Sequence, residues 1–344
     1  MAMKSFGKTI LAASLGMIVL NAGAAHAQQI AANSLSMSKV KVAMPFTVLV
    51  QRAALEASLR TGAFKKEGLE VEVIRFRSWS EPVQAIAGNA AQFALGGGGF
   101  IRAVVGRKAP VRAIALVSSR LPYAFYVKKS SGITSIAQLK GKTIQTVRTG
   151  ETLDNVWRQI LGAAGLKMSD VKRVESFNGF GTLASGQAQA ANISSNWIGK
   201  GRKAGFMQLV DYNEWRKKKG LPTNQAANLG WGTSLKMLKE HPDTVKAFLR
   251  ALTRSTVMLK TDKAFAVSVL MAKPFAMDEA TANEVYALHR DHWMVRLDPS
   301  KGDYSFDAEM TEIVLKRPKG SIDIKAVSAL GPIRDVLKEM NVTF

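Results

Sequence analysis

The sequence predicts an α/β protein of two lobes, with a cleft between them and a helical C-terminal tail. Three observations predict this fold class. Strand-like and helix-like segments alternate from Val40 to about Val117, the same alternation restarts at Ala124, and helical periodicity dominates after about residue 230. Each alternating unit predicts a parallel sheet covered by helices on both faces, and the cleft is expected where the two units meet.

The N-terminus has the features of a secretory signal peptide. Lys4 and Lys8 precede the apolar stretch 10–20, and Ala25-His26-Ala27 supplies a small-x-small cleavage site. Cleavage there predicts export to the bacterial periplasm and leaves residues 28–38 as a polar linker. A membrane anchor is the alternative, but the apolar stretch is short for a membrane span.

Composition excludes several classes of site. The chain of 344 residues contains no cysteine, so disulfides, thiol nucleophiles, a Cys-linked lipid anchor and Cys-ligated zinc are excluded. The formal net charge is +22, from 48 basic and 26 acidic residues. The lysines are scattered among acids in short sets and form no basic stripe interleaved with aromatic residues, so no nucleic-acid partner is predicted. No cofactor is predicted either.

The first unit comprises short elements separated by turn residues. Gly62 ends the first helix, and Pro82 lies in the first turn of the second. Residues 69–76 alternate apolar and charged side chains, as a half-buried strand does. Strands are predicted at 40–44, 69–76, 92–95 and 113–117, and helices at 48–60, 80–87 and 100–105.

The second unit and the tail complete the organisation. Pro242 begins the first helix of the tail. Strands are predicted at 124–127, 143–147, 171–176, 190–194 and 207–210, and helices at 152–164, 181–184, 264–271, 278–293 and 333–340. The predicted domains are a signal peptide (1–27), the linker (28–38), a first lobe (39–120), a second lobe (121–226) and a return to the first lobe with the C-terminal helices (227–344).

Four consecutive glycines, Gly96–Gly99, follow a predicted strand and raise the question of a phosphate-binding loop. A P-loop needs a glycine five residues before Gly-Lys-Ser/Thr, but the position five before Gly141-Lys142-Thr143 is Ile136. No nucleotide site is predicted. The glycines are expected either to leave room for a ligand and expose backbone N–H groups, or to allow close packing of strand on helix.

Two histidines, His289 and His292, stand three residues apart on a predicted helix. They could ligate a metal, but the only acidic side chain near them in the sequence is Asp291, so no metal site is predicted. A surface role is expected for both.

The chain resembles the substrate-binding proteins of bacterial ABC importers for nitrate, aliphatic sulfonates and taurine, and is similar to binding proteins for thiamine pyrimidine precursors. The matching motifs are Gly-Ala-Phe-Lys-Lys-Glu-Gly-Leu at 62–69, Leu-Lys-Gly-Lys-Thr at 139–143 and Pro242, and the resemblance covers about residues 39 to 270.

The resemblance implies a type II periplasmic-binding-protein fold and a protein that is not an enzyme. It further implies a monomer that takes a small organic anion and delivers it to an ABC permease in the inner membrane. The alternatives are a pyrimidine or aromatic ligand, or an enzyme on the same two-lobed fold.

Ligands of open α/β sheets bind beyond the carboxyl ends of the strands, which places the candidate residues in loops of both lobes. Residues 149–152 are the best anion candidate because they lie between a strand and a helix, and Arg148 could add a fork for an oxyanion. An ordinary helix cap with a surface arginine is the alternative. Glu151 either pairs with an ammonium group, as on taurine, or only favours the helix N-terminus. The tryptophans are expected to hold a carbon stem or to belong to the core. The candidate ligand-binding residues are Phe46, Thr47, Trp79, Ser80, Gly97, Gly98, Ser118, Arg148, Thr149, Gly150, Glu151, Thr152, Asn196, Trp197 and Trp231.

Overall fold

The computed structural model describes residues 35–46, 49–149, 151–221 and 229–344. The predicted signal peptide, residues 28–34 of the predicted linker, Thr47 and Gly150 lie outside the described residues. None of the helices in these ranges is both long and apolar enough to cross a membrane.

The strands form two sheets. They are β1 (Lys39–Pro45), β2 (Glu70–Phe76), β3 (Phe93–Gly96), β4 (Val111–Ser118), β5 (Ala124–Lys128), β6 (Thr143–Thr146), β7 (Lys172–Glu175), β8 (Ala190–Asn192), β9 (Phe206–Asp211), β10 (Gly230–Ser234) and β11 (Trp293–Arg296). The first sheet has the order β11-β4-β10-β3-β1-β2, and the second has the order β7-β6-β8-β5-β9. We call the sheets with their covering helices the first and second lobes; the exact lobe boundaries stay predictions.

Helices cover both sheets. They are α1 (Ala53–Arg60), α2 (Ala63–Lys66), α3 (Glu81–Ala87), α4 (Gly99–Arg107), α5 (Thr152–Ala163), α6 (Gly179–Ala184), α7 (Ile198–Lys203), α8 (Tyr212–Lys218), α9 (Leu235–Glu240), α10 (Pro242–Thr261), α11 (Lys263–Met271), α12 (Glu279–His289), α13 (Ser305–Leu315) and α14 (Gly331–Glu339). Short 3-10 turns join several of them.

The prediction of purely parallel sheets is wrong. β1 pairs in parallel with β2 and β3, but β10 lies between β3 and β4 and is antiparallel to both. In the second sheet β6 is parallel to β7 and β8, whereas β5 is antiparallel to β8 and β9. The reason is the chain path, because β10 enters the first sheet on the return from the second lobe.

The tail also contains strands, β10 and β11, where helical periodicity was expected to dominate. The helix predicted over 278–293 ends at His289, and Trp293 begins β11, which pairs with Ser118 of β4. Trp293, Met294 and Val295 are all buried. These residues are buried because β11 packs at the edge of the first sheet. A short apolar run in the sequence does not show whether it belongs to a strand or to the buried face of a helix.

Each lobe has its own apolar core. In the first lobe, Phe248 of α10 stacks on Phe93 of β3 with ring centroids 3.9 Å apart. In the second, Trp157 of α5 packs on Phe125 of β5 at 4.2 Å, and its indole N–H donates to the carbonyl of Gln145 at 2.8 Å. These cores hold the strand ends and helix starts that face the other lobe.

Helix α13 bridges the two lobes. Its Phe306 and Met310 belong to the core of the second lobe, while Tyr304 and Ala308 belong to that of the first. Asp307, between Phe306 and Ala308 in the sequence, is fully buried. The C-terminal tail therefore packs on both lobes.

Candidate functional site

A cavity of about 160 Å³ lies between the lobes. Its position beyond strand ends is the one expected for a ligand site in an α/β fold. The first lobe contributes Leu49, Trp79, Ser80, Gly97, Gly98, Gly99, Arg102 and Leu229, and the second contributes Gln145, Val147, Glu151, Thr152, Leu153, Ser176, Phe177, Gly179 and Asn192, with Pro122 and Tyr123 between them.

The glycine loop forms the wall of the cavity on the first lobe. Gly97, Gly98 and Gly99 lead from β3 into α4, so the N-terminus of this helix begins at the cavity. A Cβ atom at position 98 would lie 2.7 Å from Asp307 Oδ1 and 3.1 Å from Arg102 Nη1. Glycine at position 98 is thus explained by the close approach of two ionisable side chains to the loop.

The facing wall on the second lobe contains a second helix start. α5 begins at Thr152, and Glu151 occupies its N-cap position. Below it, Gln145 is held rigidly because its amide donates to the carbonyl of Ser176 and its Oε1 accepts from the N–H of Asn192 at 3.0 Å. The N-termini of α4 and α5, each carrying a partial positive charge, therefore both begin at the same cavity.

Two carboxyl groups near the cavity are perturbed by burial. Burial raises the pKa of the Glu151 carboxyl, and Arg102 and then Arg148 partly offset this effect. Burial raises the pKa of Asp307 well above its usual range, with Arg102 and the Gly98 N–H opposing. Among the described residues neither carboxylate oxygen of Asp307 has a partner with full hydrogen-bond geometry, so the Gly98 N–H acts on it only as a nearby donor. Both shifts favour the neutral acid at the edge of the cavity.

The structure brings six of the predicted ligand-binding residues together at the cavity. They are Trp79, Ser80, Gly97, Gly98, Glu151 and Thr152. Thr47 and Gly150 lie outside the described residues, so their predicted roles stay predictions. Whether any of the six contacts a ligand also stays a prediction.

The remaining predicted residues lie away from the cavity lining. Phe46 is 58% exposed, and Arg148 and Thr149 are exposed, with Thr149 Oγ1 accepting from Arg173 at 3.2 Å. The other four have structural partners: Ser118 Oγ accepts from the Arg120 N–H, Asn196 Oδ1 accepts from Ser194, Trp197 stacks on Phe180, and Trp231 packs edge-on against Phe248 in the core.

Sequence reasoning missed several lining residues, above all Arg102, Tyr123, Gln145 and Phe177. Arg102 lies one turn into the helix that follows the four glycines, so the spacing from Gly98 could have indicated it. The approach of Asp307 had no signal in the sequence, because it depends on where α13 packs.

The expected surface role is wrong for His289, whereas His292 is half-buried. His289 is fully buried, with its Nε2 2.8 Å from Ser195 Oγ of the second lobe, and burial lowers its pKa to about 3. His292 Nδ1 lies 2.9 Å from Ser119 Oγ. Within the described ranges no group of three or more acidic or histidine side chains could hold a metal ion. These histidines contact the connection between the lobes and the second lobe itself.

Comparison with known families assigns this architecture. The family model described as NMT1/THI5 like matches residues 53–263. The chain belongs to the NMT1/THI5-like family. The matched segment spans the first lobe from α1, the whole second lobe and the start of the tail. By sequence alone, no curated protein is significantly similar to this NMT1/THI5-like chain.

Solved structures share the fold. The periplasmic aliphatic sulphonate binding protein SsuA from Escherichia coli matches with a TM-score of 0.67 and 11% identity, over 86% of this chain and 92% of that one. The periplasmic nitrate-binding protein NrtA from Synechocystis PCC 6803 matches with a TM-score of 0.67 and 16% identity, over 90% of both chains. The desulfurization enzyme DSZB matches with a TM-score of 0.67 and 14% identity, over 88% and 100%. These likenesses confirm the predicted two-lobed periplasmic-binding-protein fold and the resemblance to sulfonate- and nitrate-binding proteins.

Proposed function

We propose that this protein is the periplasmic solute-binding component of an ABC importer. It captures a small organic anion, a sulfonate or carboxylate, in the cavity between its lobes and delivers the anion to a membrane permease. The observation that carries the proposal is the convergence of two helix N-termini from opposite lobes on one cavity. Free N–H groups and the helix dipoles at such ends favour a negative group.

The lining adds polar contacts that suit an oxyanion. The Thr152 hydroxyl and the Gly97–Gly99 backbone stand on opposite walls, so a ligand that touches both holds the lobes together. Closure about the connections between the lobes is the expected response, because the ligand binds the closed arrangement better than the open one. The fold relationship to SsuA and NrtA supports this use of the cavity.

Thermal unfolding of the exported protein tests the proposal. The panel contains alkane- and arenesulfonates, taurine, aromatic carboxylates, nitrate and pyrimidines. A ligand at one hundred times its Kd stabilises the folded state by about 2.7 kcal/mol, which raises Tm measurably. Small-angle scattering with the ligand that raises Tm should show contraction. Stabilisation by none of the sulfonates and carboxylates would contradict the proposal, and stabilisation by pyrimidines alone would favour the alternative ligand class.

An enzyme on the same fold is the second candidate, because DSZB shares the architecture. The described lining contains no cysteine, histidine or lysine, and its titratable groups are Arg102, Tyr123 and Glu151. This composition favours binding without turnover. Incubation of the wild-type protein with each ligand that stabilises it, followed by chromatography, should return the ligand unchanged; a converted product would favour the enzyme.

A further inference from the structure

Arg102 is a cation that lines the cavity. Its Nη1 is shielded from solvent and makes no hydrogen bond, and no ion pair of Arg102 occurs among the residues described. A guanidinium normally satisfies its five donors in a fixed fork, and leaving one shielded donor unpaired costs free energy. An oxyanion in the cavity would satisfy it.

The nearby acids do not take this role. Asp307 lies behind the glycine loop, fully buried and close to Arg102, yet within the described residues it forms no ion pair with Arg102. Burial raises the pKa of Asp307 well above its usual range, and it also raises the pKa of Glu151 across the cleft. Burial thus works against the ionised form of both carboxyl groups, and within the described residues neither forms an ion pair with Arg102.

Part of the cavity lining is apolar. Leu49 and Leu229 from the first lobe and Val147, Leu153 and Phe177 from the second line the cavity. Its volume of about 160 Å³ matches an engineered apolar cavity of about 150 Å³ that binds benzene. A ligand that uses both the cation and these walls has an anionic group and an apolar body.

We propose that Arg102 is the anion-binding residue of the cavity, and that the site selects monoanions whose apolar body is about the size of a benzene ring over inorganic anions. This inference rests on the proposed function and deepens it. A planar guanidinium pairs with two oxygens of a sulfonate or carboxylate at once, whereas nitrate can engage Arg102 but leaves the apolar walls uncovered.

Calorimetry with benzenesulfonate, neutral benzenesulfonamide and nitrate tests the proposal on four proteins: wild type, Arg102→Gln, Arg102→Lys and Arg107→Gln. Arg107 lies on the same helix but is exposed and away from the cavity, so its variant is the matched control. The wild type should bind benzenesulfonate at least tenfold more tightly than either benzenesulfonamide or nitrate. Arg102→Gln should lose that preference over benzenesulfonamide, Arg102→Lys should weaken benzenesulfonate binding at least threefold, and Arg107→Gln should bind as the wild type does.

The outcomes separate the two proposals. If the wild type binds benzenesulfonate and Arg102→Gln retains its preference for the anion, Arg102 is not the anion-binding residue and the proposed function stands. Equal affinity for nitrate overturns the requirement for an apolar body. If Arg102→Gln does not fold, unchanged affinity and selectivity in Arg102→Lys overturns the proposal. A wild type that binds no sulfonate or carboxylate of the larger panel overturns this proposal and the proposed function together.

Discussion

Lowering the pH should destabilise the protein through His289, which lies at the contact between α12 and the second lobe. The ring is fully buried, its Nε2 is 2.8 Å from Ser195 Oγ, and its Nδ1 has no hydrogen-bond partner among the described residues. Burial is the largest cause that lowers its pKa, from 6.5 to about 3, and the nearby side chains of Arg120 and His292 lower it further. The folded protein therefore holds this imidazole neutral well below the pH at which the unfolded chain protonates it.

The sign and size of the effect follow from linkage. Between pH 6.5 and about 3 the unfolded state binds more protons than the folded state, so the free energy of unfolding falls as the pH falls. At about pH 4.5 protonation of this histidine favours the unfolded state by roughly a hundredfold, which corresponds to roughly 2.7 kcal/mol. Above about pH 7.5 His289 is neutral in both states and costs the protein no stability. The loss of unfolding free energy is complete only below the folded pKa of about 3.

Urea unfolding at pH 7.5 and pH 4.5 measures this contribution. In His289→Gln, the stability difference between the two pH values should shrink by roughly 2.7 kcal/mol relative to wild type. Ser195→Ala is the control, because it removes the hydrogen bond and leaves the buried ring, so it should keep most of the pH dependence. Equal pH dependence in His289→Gln and wild type would refute the reasoning.

Three further predictions concern the core, the cavity and the N-terminus. Phe248→Ala removes the ring stacked on Phe93 and should cost about 3–5 kcal/mol of unfolding free energy, as urea titration would show. Glu151→Gln should weaken binding of a zwitterion such as taurine and should strengthen or leave unchanged the binding of a simple anion. Thr152→Ala should cost about 1 kcal/mol of binding free energy, or several-fold in affinity. Calorimetry measures both effects. Mass spectrometry of the exported protein should find its N-terminus near Gln28, and an intact Met1 in a membrane fraction would contradict export by cleavage.

The local pattern of residues determined much of the architecture. Alternating apolar and charged side chains predicted β2, and the apolar run before the four glycines predicted β3. Pro242 marked the start of α10. The helix start after residue 151 and the glycine loop were both predicted to face a cleft, and both line the cavity. Such features are readable because caps, turns and periodicity depend on residues within a few positions of one another.

Tertiary structure alone decided which side chains reach the cavity. Trp231 and Trp79 look alike in sequence, but Trp231 belongs to β10, whose neighbours β3 and β4 place it in the core, while Trp79 lines the cavity. The same holds for His289, which becomes buried because α12 packs near the second lobe, and for Asp307, which reaches Gly98 because α13 bridges the lobes. Burial and charge environment depend on contacts between segments far apart in the chain, and no local pattern specifies which distant segments meet.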